Sequence, residues 1–221
     1  MHRWYFPLML NSKLNSLLRG GSKKGKVSSK LWRRMWHLAG GSFFPVLALF
    51  VSREVSLITV GIITGVFVAW EIARFVSPGV NRWTTSHLRI VLKSEEQFQP
   101  TGTTLLLLAS LVVFSLFEKY IAITSLLFVA IGDLSASIIG ERYGNHAVLN
   151  KSLEGSLACL MACLVIGILM TRLSHTVSLP VVAYGAICAT VVEMLPIPAD
   201  DNFTIPLFSA VAMALATLYL G

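Results

Sequence analysis

The sequence predicts an all-α, polytopic integral membrane protein of about seven transmembrane helices with its N-terminus in the cytoplasm. Three observations predict it. Of 221 residues, 55% are apolar and only 13% are charged, where an ordinary soluble domain carries about 25% charged residues. Long, weakly charged runs recur along the chain, close to the ~20 helical residues that cross a bilayer. The basic residues are also unevenly placed: nine of the eighteen Lys and Arg lie in residues 1–34, which contain no Asp or Glu. Residues 35–221 hold nine basic and eleven acidic side chains, a net of −2. The formal +7 therefore belongs to the tail and gives no support to a nucleic-acid-binding domain. A soluble globular domain, a disordered tail protein and a secreted disulfide scaffold are disfavoured on the same grounds.

In chain order, residues 1–31 read as a basic cytoplasmic or interfacial tail and residues 32–221 as a single transmembrane catalytic domain. Met1–Gly20 is not a clean signal peptide, because Pro7, Asn11 and Lys13 interrupt its short apolar run. Trp4–Leu18 mixes aromatics and leucines with Lys13, as an interfacial helix would. Gly20–Lys30, made mostly of Gly, Ser and Lys, reads as a flexible cationic linker. The simplest role for this tail is to set topology.

The seven spans are expected at Trp36–Val51, Val55–Ile72, Gly102–Phe117, Ile121–Gly140, Ser156–Thr171, Val177–Leu195 and Phe203–Leu220. They lack the alternation of strands, and their Gly, Ala and Leu content suits packed membrane helices. The positive-inside rule puts the tail in the cytoplasm. Tight turns at 52–54, 118–119 and 172–176 then fall outside. The longer connections 73–101, 141–155 and 196–202 fall inside, with Arg74, Arg82, Arg89, Lys93, Arg142 and Lys151. Val80–Gln99 is expected to contain a short surface helix, with Trp83, Leu88, Ile90, Val91 and Leu92 as apolar contacts.

Charged side chains at membrane depth are costly and usually functional. Glu71 and Arg74 stand three apart and can pair. Asp133 interrupts the fourth run and Glu193 ends the sixth, while Arg33, Arg34 and His37 stand where the first begins. The derived topology gathers all four groups at the cytoplasmic face. Asp133, Ala136 and Gly140 align on one helical face, with Gly144 just beyond, leaving room for a ligand or another backbone. Lys151, Ser152, Glu154, Gly155 and Ser156 follow; a lysine and the amides of a helix start can hold phosphate. Thr101–Thr104 could cradle an anion in the same way. Asp200, Asp201 and Asn202 offer hard oxygen ligands of the kind magnesium takes. Together these suit a metal–nucleotide site, although ion transporters also place acids and broken helices in membranes. Walker, dinucleotide, protein-kinase and zinc signatures are absent. Cys159, Cys163 and Cys188 read as small buried apolar side chains. His2, His87, His146 and His175 have no evident ligand partners.

These stretches resemble the dolichol kinase, phytol kinase and CTP-dependent diacylglycerol kinase family, a relative of the CDP-diacylglycerol synthases. The matching pieces are Arg33-Arg34-x-x-His37, Trp70-Glu71-x-x-Arg74, Thr101-Gly102-Thr103-Thr104, and Gly132-Asp133-x-x-Ala136-x-x-x-Gly140-x-x-x-Gly144. Lys151-Ser152-x-Glu154-Gly155-Ser156, Glu193 and Asp201-Asn202-x-x-Ile205-Pro206 complete them. The resemblance implies a kinase that moves the γ-phosphate of CTP, or of ATP or another nucleoside triphosphate, to the hydroxyl of a polyprenol, phytol or diacylglycerol. It implies Mg2+ on Asp133 and Asp201, and the triphosphate on Lys151, Ser152, Glu154 and Gly155 beside Gly140 and Gly144. Arg33, Arg34, His37 and Arg74 would hold phosphate or fix the acids, with Thr103 and Thr104 as hydroxyl donors. Asn202 would read the nucleotide or a metal-bound water. Glu193, Glu71 or Asp133 would orient or deprotonate the acceptor hydroxyl, a choice the sequence leaves open. The implied setting is a multi-pass protein, in a prokaryotic plasma membrane or an organelle membrane, with its site facing the cytoplasm. Its partners would be the lipid and the nucleotide, with no nucleic acid and at most a homodimer. The alternatives are a phosphatidate cytidylyltransferase, whose C-terminal signature is missing here, and a small transporter.

Overall fold

The computed structural model describes residues 23–88, 92, 95–149, 151–174 and 176–220, with side chains from Trp32 onward except those of Arg33, His37 and Glu95. The expectations for Trp4–Leu18, His2, His175, Arg89, Ile90, Val91 and Lys93, and for the side chains of Arg33 and His37, lie outside the described residues.

Among the described residues eight α-helices follow in order: α1 (Lys23–Phe50), α2 (Arg53–Val76), α3 (Pro78–His87), α4 (Gly102–Leu116), α5 (Lys119–Tyr143), α6 (Leu153–Leu173), α7 (Leu179–Met194) and α8 (Asp201–Leu220). Each expected span falls mainly within one of them. Four, namely α2, α5, α6 and α8, are long and apolar enough to cross a membrane. The apolar helices α4 and α7 are shorter, at 15 and 16 residues. The architecture is that of an all-α membrane protein. α3 is the surface helix expected after the second run, with Trp83 and Leu88 exposed. The expectation of a flexible linker over Gly20–Lys30 is corrected from Lys23 onward, where α1 begins. Lysine propagates a helix well, and the apolar helix that follows extends it without needing a new nucleus.

α5 is the axis of the bundle. Ile123, Leu126, Phe128, Val129 and Ala130 are fully buried, as befits a helix apolar all round. It packs against α1, α6 and α8, while α7 lies along both α6 and α8 and α4 bridges α2 and α8. The outer faces are apolar too: Ile58, Ile62 and Val66 on α2 and Leu157, Met161 and Val165 on α6 recur every four residues and are exposed. In water that area would be a liability; against lipid it is the solvated surface. Several buried hydroxyls are satisfied within their own helices, as when Thr124 donates to the carbonyl of Tyr120 at 2.6 Å and Ser209 to that of Ile205 at 2.7 Å, and Thr64 donates across to the Leu107 carbonyl at 3.3 Å.

Tight connections close one end of the bundle. There Lys119 donates to the Val51 carbonyl at 2.7 Å, and Arg53 to the Phe114 and Ser115 carbonyls at 2.9–3.2 Å, meeting helix-end acceptors that lack intrahelical partners. At the other end lie α3, a 3-10 turn at Glu95–Gln97, and a small antiparallel pair in which Ala147–Val148 faces Lys151–Ser152.

Midway along, α5 widens into a π-turn over Phe128–Asp133. α6 presses against this turn: a Cβ on Gly132 would stand 2.7 Å from the Cys163 sulfur and 3.1 Å from that of Cys159. Both cysteines are fully buried, so they are packing residues, as the sequence suggested. Gly132→Val should destabilise the fold by roughly 1–3 kcal/mol through overpacking. Gly65→Ala, at a position with open space around it, should be neutral or stabilising by up to about 1 kcal/mol. Thermal unfolding of the two variants in detergent checks this difference.

Candidate functional site

At the loop-rich end, a cleft of about 940 Å³ opens between the helices. Arg34, Thr103, Asp133, Gly140, Lys151, Ser152, Gly155, Glu193, Asp201 and Asn202 all line it, so residues far apart in sequence share one cavity. Lys151 ties its charged lining together. The Nζ lies 3.0 Å from Glu193 Oε1 and 2.9 Å from Asp201 Oδ2. The second Glu193 oxygen accepts from the Ser156 hydroxyl at 3.0 Å. This cluster ties the strand pair to the end of α7 and the starts of α6 and α8.

Burial disfavours the charged lysine, but the two carboxylates outweigh it and hold the Lys151 pKa above its ordinary value. The sign follows directly. A raised lysine pKa stabilises the fold fully below the ordinary lysine value, and that contribution fades only as pH rises through the raised one. The cation is therefore permanent at neutral pH.

Local sequence explains the placement. Ser152 caps α6 by accepting from the Gly155 amide at 3.1 Å, and Asp200 accepts from the Asn202 amide at 2.9 Å at the start of α8. A Cβ on Gly155 would lie 2.9 Å from the Ala136 carbonyl and 3.3 Å from the Gly140 Cα. The small-residue face thus admits a neighbouring backbone. Gly140 still borders the cleft, whereas Gly144 does not. Glu154 also turns away, pairing with His146 at 2.7 Å; this partner for His146 was not anticipated.

Glu71 and Arg74 form a second cluster, outside the cleft lining. Arg74 is almost fully buried. It binds Glu71 Oε2 at 2.5 Å, the Gln99 carbonyl at 2.8 Å and the Glu96 carbonyl. Glu71 Oε1 accepts from the Thr101 amide at 2.8 Å and the Thr104 hydroxyl at 3.1 Å. Glu96 accepts from the Gly102 amide at 2.8 Å. The expectation that Thr101–Thr104 cradles a ligand anion is therefore corrected: the chain's own carboxylates already occupy the start of α4. Thr104 serves Glu71, and only Thr103 of the two expected donors lines the cleft. The polar atoms of Glu71 and Arg74 are likewise engaged, fastening the 95–101 loop.

Sequence reasoning missed Glu96 and Glu141. Glu141 pairs with Arg34 at 2.9 Å, and Arg34 also reaches the Ser137 hydroxyl at 3.3 Å. The available signal was the scarcity of acids: every Glu or Asp near the loop-rich end of so apolar a chain deserved a partner. Among the described residues, no three His, Cys, Asp or Glu side chains gather as a metal site. Asp133 and Asp201 are nevertheless hard oxygen donors lining the same cavity.

Comparison with known proteins follows the same lines. Over 181 residues the chain is 26% identical to an uncharacterised protein of Rickettsia prowazekii, covering 79% of this chain and 88% of that one. It is 30% identical over 210 residues to CTP-dependent diacylglycerol kinase 1 of Eremothecium gossypii, covering 82% of this chain and 65% of the relative. It is 35% identical over 134 residues to probable phytol kinase 1, chloroplastic, of Glycine max, covering 54% of this chain. The chain thus spans 44% and 65% of the lengths of the two proteins named as kinases. No family model and no solved structure matches it.

Glu71→Ala should be severely destabilising, by about 3–5 kcal/mol, because it strands the buried Arg74 charge. Glu154→Ala, breaking a pair with an exposed histidine, should cost under about 1 kcal/mol. Denaturant unfolding in detergent distinguishes the two.

Proposed function

We propose that this chain is a membrane lipid kinase that transfers the γ-phosphate of CTP to the hydroxyl of a membrane lipid at the cytoplasmic face. One observation carries the reading: a half-buried, permanently charged lysine sits between two carboxylates in a cleft that also holds Asp133. The names of the two kinase relatives support a lipid kinase in general. CTP rather than ATP, and a polyprenol, phytol or diacylglycerol acceptor, are the finer parts of the proposal.

In the proposed reaction the acceptor oxygen forms a bond to the γ-phosphorus while the bond to the β-phosphate oxygen breaks. The products are a phosphorylated lipid and a nucleoside diphosphate. Lys151 contacts the phosphates, and Glu193 and Ser156 hold that lysine in place. Arg34 stands at the cleft rim as a second cation. Mg2+ fits Asp133 and Asp201, because magnesium is commonly held by one or two carboxylates and completed by substrate phosphates. When bound it neutralises charge on the β- and γ-phosphates. Orienting the acceptor hydroxyl and taking its proton falls to a carboxylate of the cleft, Asp133 or Glu193, both of which line it while Glu71 does not. That demand is modest, since phosphoryl transfer is dominated by positioning and charge stabilisation. Asn202, with its side-chain oxygen buried and unpartnered, is positioned to accept a donor from the nucleotide.

The purified protein, given γ-labelled CTP or ATP with Mg2+ and a panel of diacylglycerol, phytol and polyprenols, should label one lipid class. Absence of labelled lipid, or release of pyrophosphate with a CDP-lipid, contradicts the proposal. Asp133→Asn and Lys151→Met should each lower turnover about 10²–10³-fold while the protein remains folded and inserted.

A further inference from the structure

The cleft does not end at its charged rim. From Gly40 of α1 onward it also runs between α1, α2 and α4, lined there by Phe43, Phe44, Ile63, Phe67, Leu106 and Leu107. From Thr103 to Ser110 on α4 this wall descends about 10 Å at the helical rise, toward the middle of the bundle. Phe43 lines the cleft and is also 55% exposed. The slot therefore opens sideways to the bundle surface and is more than an internal void.

A polyphosphate nucleotide has no chemistry to match such a wall. A hydrocarbon chain has, and it would arrive through the side opening directly from the bilayer. We propose that the α1–α2–α4 slot binds the hydrocarbon chain of the acceptor lipid, with its hydroxyl end directed at Asp133. This rests on the lipid-kinase reading for the identity of the headgroup. The apolar wall and the lateral opening argue the chain site by themselves.

Gly40 gives the means of testing it. Gly40 lines the slot, and a Cβ there would meet nothing within 4 Å. By contrast its neighbour Gly41 is packed, with a Cβ reaching to 3.0 Å from the Ala130 Cβ. A large side chain at 40 would fill the slot without displacing the bundle. Gly65 is equally open but does not line the cleft, so Gly65→Trp controls for adding an indole to the lipid-facing surface.

The experiment uses the full chain in phosphatidylcholine nanodiscs with a long-chain primary alcohol bearing a diazirine on its alkyl chain. Photolabel is expected on the segments holding Phe43–Phe44 and Ile63–Phe67. It should be displaced by excess unlabelled alcohol, and reduced at least about tenfold in Gly40→Trp but not in Gly65→Trp, since excluding several methylenes from an apolar site costs that much or more. Label confined to outer faces such as Leu157, Met161 and Val165 on α6, or unaffected by Gly40→Trp, overturns the proposal. Competition in the unaltered protein decides the matter even if Gly40→Trp fails to fold: slot labelling that unlabelled alcohol does not displace also overturns it. Phosphate transfer is read in parallel. Gly40→Trp should lower the ratio of long-chain to short-chain acceptor phosphorylation. Displaceable slot labelling without any transfer would leave the chain site standing and remove the kinase reading.

Discussion

The Lys151 ammonium held between Glu193 and Asp201 is the constraint around which the loop-rich end of this bundle is arranged. Each partner comes from a different element: the strand pair before α6, the last turn of α7 and the first residue of α8. One cation thus holds three chain segments at a fixed spacing. Lys151 and Asp201 are half-buried and Glu193 is buried, and the three charges satisfy one another. Any anion that displaced a carboxylate from the ammonium would find a charge already partly desolvated and oriented, the preorganisation that phosphate chemistry exploits.

The second clasp works differently. Arg74, Glu71 and Glu96 draw their partners from the chain itself, including the amides that open α4. A helix start that would attract an external anion is satisfied internally. The result is a firmly tied loop forming one wall of the cleft. The π-turn in α5 supplies the opposite wall. Gly132 seats on the two cysteines of α6, and the next residue, Asp133, faces the cavity. A π-turn adds a residue to the helical turn and so changes which side chains face which neighbour. Asp133 is placed by the packing of the residue before it as much as by its own surroundings.

Much of this was legible in the sequence because a membrane chain has few charges to interpret. The helices followed from apolar runs, and the convergence of Arg34, Asp133, Lys151, Glu193 and Asp201 followed from the parity of the loops. What escaped was whatever depends on partner choice. Glu71, Arg74 and Thr104 carry the same residue types as a phosphate site; only geometry shows that they spend their hydrogen bonds on each other. Glu96 sits in a short polar loop whose pattern gives no period to read. Gly140 and Gly155 are small for close backbone approach, and spacing alone could not separate that from room for a ligand. The extension of α1 back to Lys23 reflects cooperative propagation from its apolar half, which composition by itself reads as linker.

The central claim is that the Lys151 cluster is a phosphate seat, and equilibrium binding of Mg·CTP to the purified protein tests it most directly. Binding should be measurable by dialysis or calorimetry in the absence of any lipid, and should weaken at least about tenfold in Lys151→Met, the loss of one charge-assisted contact. Affinity for Mg·CTP that is unchanged in Lys151→Met, with the fold intact, would contradict the account.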